Sequence, residues 1–239
     1  MSAGGAEALE RHIGHRLFRI ADREGRPLGS GFAVQGAILT CAHVVGDRPA
    51  DDLMAGPFPV AAVRIGEMHD VALLEIGGDV DGLPVSWTRP DQVVVAGFPL
   101  EPGLTGALFG TGRVSGRGVI GYEAHGRSYH LPEAWALADA FVSPGHSGGP
   151  VVDRETGAVA GITVANFSPV TGLSGPSGFA LPLNALVDDQ VIGGVLRQAE
   201  DLTPRYGPHP NAPAALLWCR AATAPLTSLA CRAAPIPPR

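Results

Sequence analysis

Three short segments hold the residues of this chain that could do chemistry. Pro144-Gly145-His146-Ser147-Gly148-Gly149-Pro150 sets a serine hydroxyl among glycines, whose small size leaves backbone N–H groups free to face a ligand. Leu39-Thr40-Cys41-Ala42-His43-Val44-Val45 places one imidazole at the end of an apolar stretch, and His69-Asp70-Val71-Ala72-Leu73-Leu74-Glu75-Ile76 opens a strand-like run with a carboxylate. Acyl transfer from a peptide or ester needs a hydroxyl that can lose its proton, a base to take it, a carboxylate to orient the base, and donors for the oxyanion of the tetrahedral intermediate. The chain supplies all four, in the order His43, Asp70, Ser147.

Each residue also has an ordinary use. A lone histidine after an apolar strand is more often structural, an aspartate at a strand start is usually a turn or capping group, and Gly and Ser are default turn residues. Coincidence shifts the balance: three residue types with one joint chemistry each sit in a matching local pattern.

That order with those flanking residues resembles the trypsin-like (chymotrypsin-fold) serine peptidases, above all the bacterial branch that includes the HtrA proteases. The resemblance runs from about Gly29 to about Pro182. Besides the three segments it rests on Gly29-Ser30-Gly31-Phe32, Val94-Val95-Ala96-Gly97-Phe98-Pro99 and Gly178-Phe179-Ala180-Leu181-Pro182. It implies that His43 is the general base, Asp70 its orienter and Ser147 the nucleophile, with the N–H groups of Gly145 and Ser147 as the oxyanion hole. It further implies an all-β fold of two Greek-key β-barrels meeting near residue 90, with the cleft between them. The activity implied is that of a serine endopeptidase working through an acyl-enzyme on a protein or peptide substrate, without cofactor or metal.

The resemblance also has gaps. Trypsin zymogens mature when a new amino terminus pairs with an aspartate just before the catalytic serine; His146 stands there, read as a surface or loop-stabilising residue. Val44 stands where animal trypsins place the cysteine that pairs beside the catalytic histidine. HtrA proteases carry a PDZ domain after the second barrel, and the residues beyond Asp201 are too few and too proline-rich for one.

The heptapeptide also fits G-x-S-x-G, the nucleophile elbow of α/β-hydrolases, for which Ser147, Asp188 and His209 form a series in the required order. That elbow needs a helix directly after the serine. Here Pro150 follows, and Val151 to Val164 read as strand, tight turn, strand. A third reading keeps the trypsin-like fold but makes it a catalytically silent binding or sensor module; an intact set of three residues argues against it.

Composition narrows the partners. The 239 residues are 45% hydrophobic with net charge −6 and show no basic cluster to neutralise phosphates, so nucleic acid is not expected as a partner. No apolar run reaches the roughly 18 residues a membrane span needs. The first residues lack the basic start and apolar stretch of a signal peptide. With three cysteines and no animal-type staple, the chain reads as cytoplasmic, with a regulatory partner possible but not specified. His12 with His15, and His125 with His130, lack companions at zinc spacing, so no metal site is expected.

Positioning falls to many short strands. After a lead over residues 1–14, helical around Ala6 to His12, β-branched segments run at Leu17 to Ile20, Gly31 to Val45, Val60 to Ile65 and Val71 to Ile76. A second series covers Val93 to Ala96, Gly112 to Ser115, Ala136 to Val142, Val151 to Val152, Val159 to Val164 and Gly178 to Leu181. Asn184 can cap a helix over about 184–200 that packs on the second barrel. Residues 201–239 read as a disordered Pro/Ala-rich tail.

By the resemblance, the base of the primary specificity pocket lies six residues before the nucleophile, at Phe141. Val164, Ala165, Asn166, Gly178 and Phe179 would line its walls. Asp139 would share a strand face with Phe141 if that stretch were regular. An uncharged pocket floor predicts cleavage after small or medium aliphatic residues.

Overall fold

Between Leu17 and Ile76 the strand-forming residues come in runs too short to bury themselves alone, so they close on one another. The computed structural model describes residues 3–166 and 177–200. Strands β1 (Leu17–Asp22), β2 (Pro27–Val34), β3 (Ala37–Thr40), β4 (Leu53–Ala55), β5 (Phe58–Ile65) and β6 (Ala72–Ile76) form a closed antiparallel barrel in the order β1-β2-β3-β6-β5-β4. A second closed barrel, in the order β10-β11-β12-β9-β8-β7, is built from β7 (Gln92–Gly97), β8 (Leu108–Ala124), β9 (Arg127–Ala138), β10 (Pro150–Asp153), β11 (Val159–Asn166) and β12 (Gly178–Pro182). Closure gives each strand two neighbours in its barrel, and the far end of the β8–β9 hairpin runs on beyond the second barrel. The all-β, two-barrel fold expected from the sequence is the fold observed.

One apolar cluster runs through both barrels and joins Phe32, Leu39 and Leu73 of the first to Ile162, Val164 and Leu181 of the second. Each such side chain contributes on the order of 1.5–3 kcal/mol on burial, which makes the barrel seam a packed contact. Helix α1 (Ala3–Gly14) closes one side of this core with Leu9 and Ile13.

Several elements differ from expectation. The run Gly31 to Val45 is not one strand. Gln35 and Gly36 take positive φ (52° and 75°), the geometry of a tight hairpin turn between β2 and β3, and Ala42–Val45 then form the short helix α2 that carries His43. The second-barrel hairpin β8–β9 is far longer than Gly112–Ser115 and Ala136–Val142 suggest. It also ends early: β9 stops at Ala138, and Asp139 has φ 64°, so Asp139 and Phe141 share no strand face.

The expected helix over 184–200 is split. Leu183–Leu186 form a 3-10 turn, and helix α3 starts only at Gly193 and runs to Glu200. Asp189 makes the break, since its carboxylate accepts from the Val191 and Ile192 N–H groups and so caps the later helix. Helix α3 then packs back on β2 of the first barrel, where the expectation placed it on the second. The tail beyond residue 200, including His209 and the Pro/Ala-rich stretch, lies outside the described residues.

Candidate active site

His43 and Asp70 come from opposite ends of neighbouring segments of the first barrel, after β3 and before β6. Strands β3 and β6 pair with Thr40 opposite Ala72, so the two residues that follow and precede them converge. The Asp70 carboxylate is fully buried and holds His43 twice. One oxygen accepts from the His43 backbone N–H at 2.8 Å, and the other meets the imidazole Nδ1 at 2.5 Å. A carboxylate can only accept, so the shared proton sits on Nδ1, which in the neutral imidazole leaves Nε2 as the acceptor. The imidazole itself is 16% exposed.

Ser147 arrives from the second barrel on the loop before β10. Gly145 has φ 100° and a Cβ there would lie 2.3 Å from the Phe98 carbonyl; Gly148 has φ 84° and a Cβ would lie 2.1 Å from the Ser30 carbonyl. Only glycine fits either position. Along this loop the N–H groups of His146, Gly148 and Gly149 bond to Ser143, Thr163 and His146 carbonyls. Those of Gly145 and Ser147 have no acceptor among the described residues. Two unspent donors flanking a serine are what an oxyanion hole requires.

Ser30 fastens this loop to the first barrel. Its N–H donates to the Ser147 carbonyl at 2.9 Å, its hydroxyl donates to the Gly145 carbonyl at 2.6 Å, and that hydroxyl accepts from the Phe98 N–H at 2.8 Å. The Cys41 thiol adds a bond to the Thr163 carbonyl at 3.3 Å. The Ser147 hydroxyl rests 3.5 Å from the Val164 carbonyl and makes no hydrogen bond to His43 in this structure. Catalytic hydrogen bonds of this kind commonly close only with substrate present.

Cys41, His43 and Asp70 place one ligand atom each within 4.8 Å of one another. These atoms already serve each other and the backbone, and burial followed by the Asp70 charge pushes the Cys41 thiol well up, which keeps it protonated. This donor set suits a hydrogen-bonded dyad better than a metal.

His146 is buried, contrary to the surface option. Its Nδ1 accepts from the Ser143 N–H and pairs with the Ser143 hydroxyl at 3.1 Å, and burial holds its pKa below the ordinary histidine value. Phe141 packs edge-on against its ring at 5.7 Å and is 53% exposed, beside the nucleophile loop. Val164 offers its carbonyl, because its side chain is 1% exposed and belongs to the core. Ala165 and Asn166 pair with Phe179 and Gly178 at the mouth end of β11–β12. Asp139 is tied to Arg113 at 3.0 Å on the surface.

Two residues outside the sequence-derived set touch the dyad. The Tyr122 hydroxyl donates to the same Asp70 oxygen that holds Nδ1, and the Tyr122 and Tyr129 rings stack at 5.4 Å while standing edge-on to His43 at 6.0 and 6.4 Å. Nothing local in the sequence signals this, since the partners lie 52 residues apart.

Residues 29–162 match the family model described as the trypsin-like peptidase domain. The chain belongs to the trypsin-like peptidase family. Among curated trypsin-like relatives, the chloroplastic Protease Do-like 1 of Arabidopsis thaliana is 34% identical over 185 residues, which is 71% of this chain and 38% of that protein. A probable periplasmic DegP-like serine endoprotease of Hahella chejuensis is 30% identical over 194 residues, 76% of this chain and 39% of that one. The chain thus spans about two-fifths of the length of these relatives. The active form of the Rv3671c protease from M. tuberculosis superposes with a TM-score of 0.63 at 21% identity, covering 86% of this chain and 90% of that chain. The HtrA-type protease AlgW superposes at 0.59 and 20% identity, covering 80% and 67%. These two likenesses show a shared trypsin-like fold. The barrels in that fold also dispose of the α/β-hydrolase series, because β10 and not a helix follows Ser147.

Proposed function

We propose that this chain is a serine endopeptidase that hydrolyses peptide bonds through an acyl-enzyme on Ser147. The observation that carries it is the pairing of an oriented imidazole with two unspent N–H donors across the barrel seam. His43, with its proton fixed on Nδ1 by Asp70, takes the Ser147 proton at Nε2 as the hydroxyl oxygen attacks the scissile carbonyl. The Gly145 and Ser147 N–H groups then donate to the oxyanion. His43 returns the proton to the leaving amine, and water repeats the sequence to release the acid. Phe141, the β11 end at Val164 to Asn166, and Gly178 with Phe179 form the substrate side.

Relatives named as serine endoproteases support this reading over the silent binding module. Among the described residues no helix is long and apolar enough to cross a membrane. The cytoplasmic setting suggested by the sequence stands beside relatives named as periplasmic and chloroplastic, and fractionation of the native protein decides between them. The test of the activity is labelling of the purified protein by a fluorophosphonate probe. Covalent attachment at Ser147, lost in Ser147→Ala, is expected; a parent protein that never labels overturns the reading.

A further inference from the structure

The β8–β9 hairpin does more than close a barrel. Its first residues, Leu108–Arg113, pair with β7, but the strands run on to a tight turn at His125-Gly126, both with positive φ (49° and 72°). A two-stranded ribbon of this length is marginal in water unless something covers one face. Here one face is covered: Ile120 and Tyr122 of β8 oppose Leu131 and Tyr129 of β9 and turn inward. The ribbon lies over the first barrel at the His43–Asp70 pair, and at its tip Arg127 pairs with Asp47, four residues past His43.

Packing alone asks only for an aromatic ring at position 122. Phenylalanine would fill it, whereas a half-buried phenol needs a partner for its hydroxyl. That partner is the Asp70 oxygen already shared with His43 Nδ1. Burial, with the nearby Cys41 and Asp70 adding to it, pushes the Tyr122 phenol far up, so it remains a donor wherever the protein is folded.

We infer that Tyr122, carried across the cleft by the β8–β9 hairpin, is a positioning residue for the His43–Asp70 pair, fixing the Asp70 carboxylate and taking a share of its charge. The inference rests on the peptidase reading. With the phenol in place, the Asp70 oxygen that faces the imidazole divides its negative charge between two donors, His43 Nδ1 and the Tyr122 hydroxyl, while the other oxygen holds the His43 backbone N–H. Without it, the whole charge faces the imidazole, which then holds a proton to higher pH. The groups that face His43 are Asp70 and Cys41 of the first barrel and Tyr122 and Tyr129 of the hairpin, with Asp47 and Arg127 at the rim. Tyr122→Phe changes only one of these interactions and keeps the ring stack.

The experiment follows the rate of fluorophosphonate labelling at Ser147 against pH, together with NMR titration of the His43 ring in a Ser147→Ala background. Tyr122→Phe is expected to move both midpoints upward by about half a unit or more, and to lower the labelling plateau about tenfold. Global replacement of tyrosine by 3-fluorotyrosine, a stronger donor, is expected to move both midpoints downward. The chain has three tyrosines; of the two among the described residues, Tyr122 and Tyr129, it is Tyr122 that donates to Asp70. Unchanged midpoints in both measurements would overturn the inference, even if Tyr122→Phe lowers the rate, since lost packing slows labelling without retuning the base. If Tyr122→Phe does not fold, the fluorotyrosine shift decides alone. If the parent fails to label while the His43 midpoint still responds to Tyr122, the peptidase reading falls and the positioning role stands.

Discussion

The Ser30 hydroxyl donates to the Gly145 carbonyl at 2.6 Å, and this bond fixes the direction in which the Gly145 loop presents its N–H groups. Ser30 is fully buried and belongs to β2 of the first barrel, while Gly145 belongs to the second. Ser30→Ala strands the Gly145 carbonyl and the Phe98 N–H without partners, a loss of about 1–3 kcal/mol in stability. It also frees the loop to turn, so kcat should fall by roughly 10- to 100-fold, short of the cost of deleting an oxyanion donor outright. Steady-state kinetics with a small ester should show the change in kcat and little change in KM.

Ser147→Ala removes the covalent route and should lower turnover by about 10⁴- to 10⁶-fold, with His43→Ala nearly as damaging. The double variant should be little worse than either single one, because the two residues act as a unit. Circular dichroism should show the fold intact in all three. A Ser147→Ala protein as fast as the parent would refute the assignment.

Gly148→Ala should fail structurally and not only catalytically. Its Cβ would fall 2.1 Å from the Ser30 carbonyl and 2.3 Å from the Thr40 hydroxyl, at φ 84°. Backbone strain alone costs about 1–3 kcal/mol, and the clash adds to it. Thermal melting should show a drop of many degrees or loss of the soluble protein.

Acid stability should depend on His12 of α1. Burial, and then the Arg16 guanidinium beside it, lower its pKa to about 4. The unfolded chain binds this proton near pH 6.5 and the folded chain only near pH 4, so between those values unfolding takes up a proton and stability falls as the pH falls. The full loss, present below about pH 4, amounts to about 3 kcal/mol at most. Denaturant midpoints measured from pH 7 to pH 4 should fall less steeply in His12→Gln than in the parent.

Substrate choice should follow the apolar side chain of Phe141. With Asp139 held by Arg113, no acid is left beside Phe141 in this stretch to select lysine or arginine. A peptide library should show cleavage after small or medium aliphatic residues, with discrimination of about 1–3 kcal/mol per methylene at best. A profile dominated by basic residues would show that another carboxylate reaches the pocket.

The candidate site segments were legible in the sequence because their signal is local. A histidine after β3, an aspartate before β6 and a serine between glycines each declare themselves within seven residues, and closure of the barrels brings them together. The Tyr122 contact was hidden because it depends on how far β8 extends, and Gly112, Gly116, Gly118 and Gly121 interrupt the strand pattern there while register shifts at Val114/Gly116 and Gly118/Ile120 let the ribbon bend. Strand β4 escaped notice because three residues carry no periodicity. The helix reading over 184–200 failed at Asp189, whose carboxylate binds the backbone of the later helix and also accepts from the Glu67 N–H at 3.0 Å, near Asp70. A cap with two masters is a tertiary feature that helical spacing does not reveal.

The links through Ser30 and Cys41 give the seam between the barrels a second meaning. Sliding one barrel past the other by a fraction of an ångström would stretch the 2.6 Å Ser30–Gly145 bond and the 3.3 Å Cys41–Thr163 contact long before either barrel lost a strand. The Ser147 loop is therefore expected to register such a displacement before either barrel unwinds.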